Sequence, residues 1–170
     1  GVICSNKDEE GRKSVFDFLP ENTRWVMVGR LDLNTSGLLL FTNNGDLANK
    51  LMHPSSEIDR EYAVRVLGRV SDEDIKQLIS GIELDDGFAK FHKVTLGGGD
   101  GANRWYHVVV REGRKREVRR LWEALDFKVS RLIRTRFSDI RMPDNLRANQ
   151  SELLKPKQVQ ALLNAVKLKG

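Results

Sequence analysis

The sequence predicts an α+β fold: a largely antiparallel mixed sheet flanked by helices. Three observations carry this reading. Short branched and aromatic runs alternate irregularly with amphipathic stretches, without the steady strand–helix–strand cadence of a parallel sheet. Residues 89–96 and 105–111 read as a strand pair, parted by the loop Gly97-Gly98-Gly99-Asp100-Gly101. No repeat, low-complexity tract or Gly/Pro-rich linker divides the 170 residues, so 1–170 is expected to be one domain.

The elements follow in order. Trp25-Val26-Met27-Val28 reads as a short buried strand leading into a turn at Asp32, and residues 37–42 as the next strand, stopped by Asn43-Asn44-Gly45. Asp46 is the expected N-cap of a helix through Met52, ended by His53-Pro54. Residues 61–67 read as a strand. Ser71-Asp72-Glu73-Asp74 opens a helix with Ile75, Leu78 and Ile79 at helical spacing, closed by Gly81. Residues 115–125 form the clearest amphipathic helix, with Val118, Leu121, Trp122 and Leu125 on one face. Residues 129–140 return to strand around Leu132, and a last helix spans 156–166.

Composition narrows the function classes. With 39% apolar and 31% charged residues the chain is globular and not disordered. No apolar run approaches the ~20 residues of a membrane span. Gly1-Val2-Ile3-Cys4-Ser5-Asn6-Lys7 does not form a charged-then-apolar leader, and Cys4 is the sole cysteine, so a reducing cytoplasm is the expected location. The net charge of +5 is unevenly spread. Residues 104–141 carry 12 Lys/Arg against 5 Asp/Glu, or +7, leaving −2 for the rest. Such a concentration favours a polyanion, RNA or DNA before an acidic membrane; a merely solvated basic face is the plain alternative.

The chemistry-bearing patterns are few. There is no Gly-x-x-x-x-Gly-Lys-Ser/Thr loop, so the triple glycine reads as a hairpin turn. His53, His92, His107 and Cys4 match no zinc spacing, and His53 reads as a loop residue. What survives is a metal-free site around one carboxylate. Asp32 sits between Arg30 and a small polar turn, ahead of a dense apolar strand, where the scaffold would fix its attack geometry. Tyr62 opens a strand, Arg114 to Trp122 is a cationic run on the amphipathic helix, and Ser130 to Arg136 alternates arginines around Leu132. Taken singly, Asp32 could be a turn-stabilising residue, Tyr62 a packing residue and Arg119 a surface cation.

Together and in this order they resemble a known family. Gly29-Arg30-Leu31-Asp32, with Thr35-Ser36-Gly37-Leu38-Leu39-Leu40-Phe41-Thr42, is similar to the active-site signature of the RsuA/RluB-type pseudouridine synthases. The similarity continues through Leu51-Met52-His53-Pro54, Arg60-Glu61-Tyr62-Ala63-Val64, Arg116-Glu117-Val118-Arg119-Arg120-Leu121-Trp122-Glu123-Ala124 and Ser130-Arg131-Leu132-Ile133-Arg134. The start, Asp8 to Arg12 and Val15 to Pro20, is also similar, and the branch that acts on large-subunit ribosomal RNA is the nearest.

The resemblance implies the pseudouridine synthase fold and isomerisation of a uridine in 23S ribosomal RNA, with no metal and no small-molecule cofactor. It implies Asp32 as the catalytic carboxylate, as nucleophile at C1′ or as base in a glycal route. Arg119 is expected to pair with Asp32. Tyr62 is expected to stack on the flipped base, its hydroxyl a candidate for the C5 proton, over an apolar floor at Leu132. Arg30 either fills the gap left in the RNA or touches phosphate, and Arg114, Lys115, Arg116, Arg120, Arg134 and Arg136 are candidate phosphate contacts. Residues 1–170 would be the catalytic domain of a monomer, without the N-terminal S4-type RNA-binding domain usual in this branch. The alternative is a non-catalytic rRNA-binding or ribosome-assembly module on the same fold. A DNA-binding helix at 115–125 is disfavoured, because Val118 and Trp122 give that helix a core-facing side.

Overall fold

The computed structural model describes residues 1–7, 19–20 and 23–167. Most of the family-like start, residues 8–18, lies outside the described residues. The described chain forms a nine-stranded mixed sheet with four helices and a separate two-stranded hairpin. The main path runs β11 (Ser151–Leu153), β1 (Val2–Lys7), β3 (Ser36–Thr42), β9 (Lys128–Phe137), β4 (Arg60–Leu67), β8 (Asn103–Val110) and β7 (Lys93–Asp100). β2 (Val26–Val28) pairs with β3, and β10 (Ile140–Arg141) folds back on β9. Every pairing is antiparallel except β3 with β9.

That parallel junction is short: Ser36 faces Ile133 and Gly37 faces Arg134. Gly37 holds φ +108°, and a Cβ there would lie 2.3 Å from the Arg134 carbonyl oxygen. Only glycine permits this backbone approach without displacing β9. From β9 the ladder crosses to β4, where Tyr62 faces Arg134 and Val64 faces Leu132. The start of β3, the middle of β9 and the start of β4 are thus locked side by side.

Two apolar layers fix the helices. α1 (Gly45–Met52) and α4 (Pro156–Ala165) cover β1 and β3 through Leu47, Leu51 and Leu162 against Cys4, Leu38 and Leu40. α2 (Asp72–Ser80) and α3 (Glu117–Glu123) cover β4, β8 and β9. Trp122 anchors α3, fully buried and tilted against Phe91 and Tyr106 at 5.9 and 5.2 Å between ring centres. No helix among the described residues is long and apolar enough to cross a membrane.

Several boundaries differ from the sequence expectation. Asn44, not Asp46, caps α1: its Oδ1 accepts from the Leu47 N–H at 3.1 Å. α3 starts at Glu117 instead of 115, because Arg116 takes a left-handed φ of 53° that no helix interior allows. The expected loop at 97–101 is mostly strand. Gly98 pairs with Trp105 and Gly99 with Arg104 around a bulge, so the turn falls at Gly101 and Ala102. The expected strand 89–96 is two: β6 (Gly87–Ala89) pairs with β5 (Ile82–Leu84), and β7 begins only after Phe91 has entered the core. The expected strand 129–140 breaks at Ser138, whose φ of 55° turns the chain into β10.

Candidate active site

Asp32 stands on the turn between β2 and β3, closed by the Thr35 N–H donating to the Asp32 carbonyl at 3.0 Å. The turn opens onto a cleft of about 380 Å3, within the size range of small-ligand sites. Tyr62 from β4 and Leu132 from β9 border the same cleft, Tyr62 half-buried and Leu132 buried. This follows from the register: Tyr62, Val64 and Leu132 share the sheet face that α3 covers, so the aromatic ring and the leucine line the cleft from one side of the sheet.

The carboxylate is held by main chain. Asp32 Oδ2 accepts from the Arg116 N–H at 2.8 Å, across 84 residues of sequence. The left-handed turn at Arg116 that delays α3 leaves this N–H aimed at Asp32. Arg119 lies against the same turn. Its guanidinium is buried, and Nη2 donates to the Asn34 carbonyl at 2.6 Å. This bond ties the cation to the main chain of the Asp32 turn.

The other cations divide into two groups. Arg30 and Lys115 are exposed at the cleft rim, and Arg116 is half-buried beside them with Nη2 3.9 Å from Glu123. The remaining four hold the protein together. Arg120 grips Asp86 with two donors at 2.7 and 3.0 Å, which draws the Asp86 carboxyl below its usual range. Arg114 reaches Asp86, Glu112 and the Phe88 carbonyl at 3.1, 3.0 and 2.8 Å. Arg136 donates to Glu61 and to the Ser138 carbonyl at 3.3 and 2.7 Å. Arg134 is 3% exposed and donates to the Leu38 carbonyl at 2.9 Å, across the β3–β9 junction. The Asp86 partner of Arg114 and Arg120, the Glu61 partner of Arg136 and the Leu38 carbonyl that Arg134 meets lie far off in sequence, so the cationic pattern alone did not reveal them.

Two cleft residues were not singled out from the sequence. Arg60 is 5% exposed, donates to the Ile58 carbonyl at 2.7 Å and lies 5.1 Å over the Phe137 ring. Burial lowers its pKa; the Tyr62 hydroxyl nearby opposes this and the Arg134 charge adds to it. Glu117 is 3% exposed and shares a hydrogen bond with Glu112. Burial first, then the Glu112 bond and charge, push its pKa up to about 8, while Arg114 at 3.4 Å pulls the other way. An Arg before an aromatic strand, and a Glu opening the apolar helix face, were the signals available. His53 is a loop residue as expected: its Nδ1 accepts from the Ser55 N–H at 3.1 Å in a 3-10 turn (Pro54–Ser56).

Residues 1–124 match the family RNA pseudouridylate synthase. The chain belongs to that family. It is 59% identical over 148 residues to "Ribosomal large subunit pseudouridine synthase B" of Yersinia pestis, a match covering 86% of this chain and 46% of the relative. To the protein of the same name from Vibrio vulnificus it is 51% identical over 171 residues, covering 99% of this chain and 53% of that one. The chain therefore spans about half the length of these curated relatives. Among solved structures, a pseudouridylate synthase superposes with a TM-score of 0.82 at 22% identity, over 95% of this chain and 73% of the other. That likeness establishes the pseudouridine synthase fold expected from the sequence.

Proposed function

We propose that this chain isomerises a specific uridine of large-subunit ribosomal RNA to pseudouridine, acting as a monomer in the cytoplasm. The observation that carries the proposal is the convergence of Asp32, Tyr62 and Leu132 on one cleft, with the Asp32 carboxylate oriented by the Arg116 N–H. Family membership and the names of the relatives support the substrate class.

The chemistry is an exchange of one glycosidic bond for another. The N1–C1′ bond breaks, uracil turns within the cleft, C5 bonds to C1′, and the C5 proton leaves as N1 gains one. Atoms and electrons balance within the nucleotide, so neither oxidant nor reductant is consumed. A stacked uridine cannot reach Asp32, so the nucleotide flips out at a cost of about a few kcal/mol. Tyr62 supplies a ring face for the everted base and a hydroxyl for the C5 proton; Leu132 supplies the apolar surface beneath. Enclosing the freed uracil keeps it from solvent during the turn. Arg30 and Lys115 at the rim meet the phosphate backbone or the gap left in the RNA.

Tritium release from C5-labelled uridine in large-subunit ribosomal RNA tests this. The protein should release label, and Asp32→Asn should bind the RNA yet release none. Wild-type turnover by Asp32→Asn, or RNA binding without any release by the unaltered protein, overturns the proposal.

A further inference from the structure

The turn that carries Asp32 turns four main-chain oxygens toward two cations. Lys7 Nζ donates to the carbonyls of Leu31, Asp32 and Thr35 at 3.4, 3.3 and 3.2 Å. Arg119 takes the fourth, that of Asn34. Lys7 stands at the end of β1 directly across from Gly37, on the strand that leaves the turn. Its ammonium has three N–H groups, as many as the carbonyls that converge on it. Hydrogen bonds from a charged donor are roughly twice as strong as neutral ones.

The Asp32 carbonyl therefore receives both the Thr35 N–H and the Lys7 ammonium. With the peptide planes on either side of Asp32 fixed, the direction of its Cα–Cβ bond is fixed too. The Arg116 N–H then sets the carboxylate at the far end of the side chain. We propose that Lys7 is a positioning residue for Asp32, its ammonium clamping the catalytic turn from β1 without touching the substrate. This rests on the catalytic reading of Asp32 above.

Misplacing a reacting group by about 1 Å can cost roughly a hundredfold in rate. Lys7→Met should accordingly slow single-turnover tritium release at saturating enzyme by roughly ten- to a hundredfold, with RNA affinity changed less than about twofold. Lys7→Arg, which keeps the charge, should recover part of the rate. A single-turnover rate within about twofold of the unaltered protein overturns the clamp. So does a loss confined to affinity with a smaller salt slope, which would make Lys7 a phosphate contact. If Lys7→Met does not fold, Lys7→Gln against Lys7→Arg decides: the clamp requires the arginine variant to be faster, and equal rates refute it. Asp32→Asn run in parallel separates the two claims. Turnover by Asp32→Asn fells the catalytic reading, whereas an inert Asp32→Asn beside a fully active Lys7→Met fells only the clamp.

Discussion

Glu117 makes the stability of this protein fall as pH rises through neutrality. Its carboxyl is protonated in the folded protein up to about pH 8, against 4.5 for an unperturbed glutamate. The folded state thus binds more protons than the unfolded chain between those values, and stability decreases with pH across that window. At about 1.4 kcal/mol for each pH unit, the ceiling is about 5 kcal/mol. Glu112, drawn down by the bond from Glu117, acts only below 4.5, where its contribution is lost on acidification. Attraction from Arg114 is already included in the shift, but part of the burial penalty relaxes as the cleft admits water, so a measured change of about 2 kcal/mol is expected. Urea unfolding at about pH 5.5 and about pH 8.5, at constant salt, measures it in the unaltered protein and in Glu117→Gln. The glutamine keeps a neutral donor and acceptor and should flatten the profile. His92, whose pKa burial and Arg111 lower, contributes equally to both proteins and cancels in the difference. Identical pH profiles for the two would refute the shared proton.

Gly37→Ala should lose about 2 kcal/mol or more, read by urea unfolding, because a Cβ at φ +108° meets the Arg134 main chain. Tyr62→Phe removes only the hydroxyl: single-turnover release should fall while RNA affinity holds, and a full rate would make Tyr62 a stacking platform. Arg30→Ala and Lys115→Ala should each lower the salt slope of RNA binding by about one. Arg120→Ala should leave that slope nearly unchanged, since Asp86 already engages its guanidinium; a drop equal to that of Arg30→Ala would return Arg120 to the phosphate contacts.

Much of the fold was legible because short-range chemistry wrote it. The Ser71 capping box forms in both directions, with Gly81 closing α2, and the apolar face of α3 lies in the core where its spacing put it. β1 was not read as a strand: Val2–Lys7 is short, half polar, and pairs on both sides with partners far off in sequence, β3 and β11. The glycines at 97–99 were misread for a related reason. Glycine marks turns, but here a Cβ at Gly99 would meet the Asn103 carbonyl at 2.6 Å across the ladder, so backbone crowding and not a bend demands it. At the site, the residue types were legible and several partners were not. A guanidinium can answer a carboxylate, a carbonyl or a ring face. Which one Arg114, Arg119, Arg120 or Arg134 meets depends on contacts made across the whole chain.

The β3–β9 junction also sets how the cleft can tolerate change. Asp32 hangs from one half of the sheet and Tyr62 and Leu132 from the other, and two residue pairs with one arginine stitch lie along the join. Spacing between acid and ring is consequently set by the seam together with the turn and the Arg116 N–H that hold Asp32. Substitutions that widen this seam by a fraction of an ångström will register first as slowed chemistry, well before the molecule melts, whereas insertions at the distant hairpins leave the gap untouched.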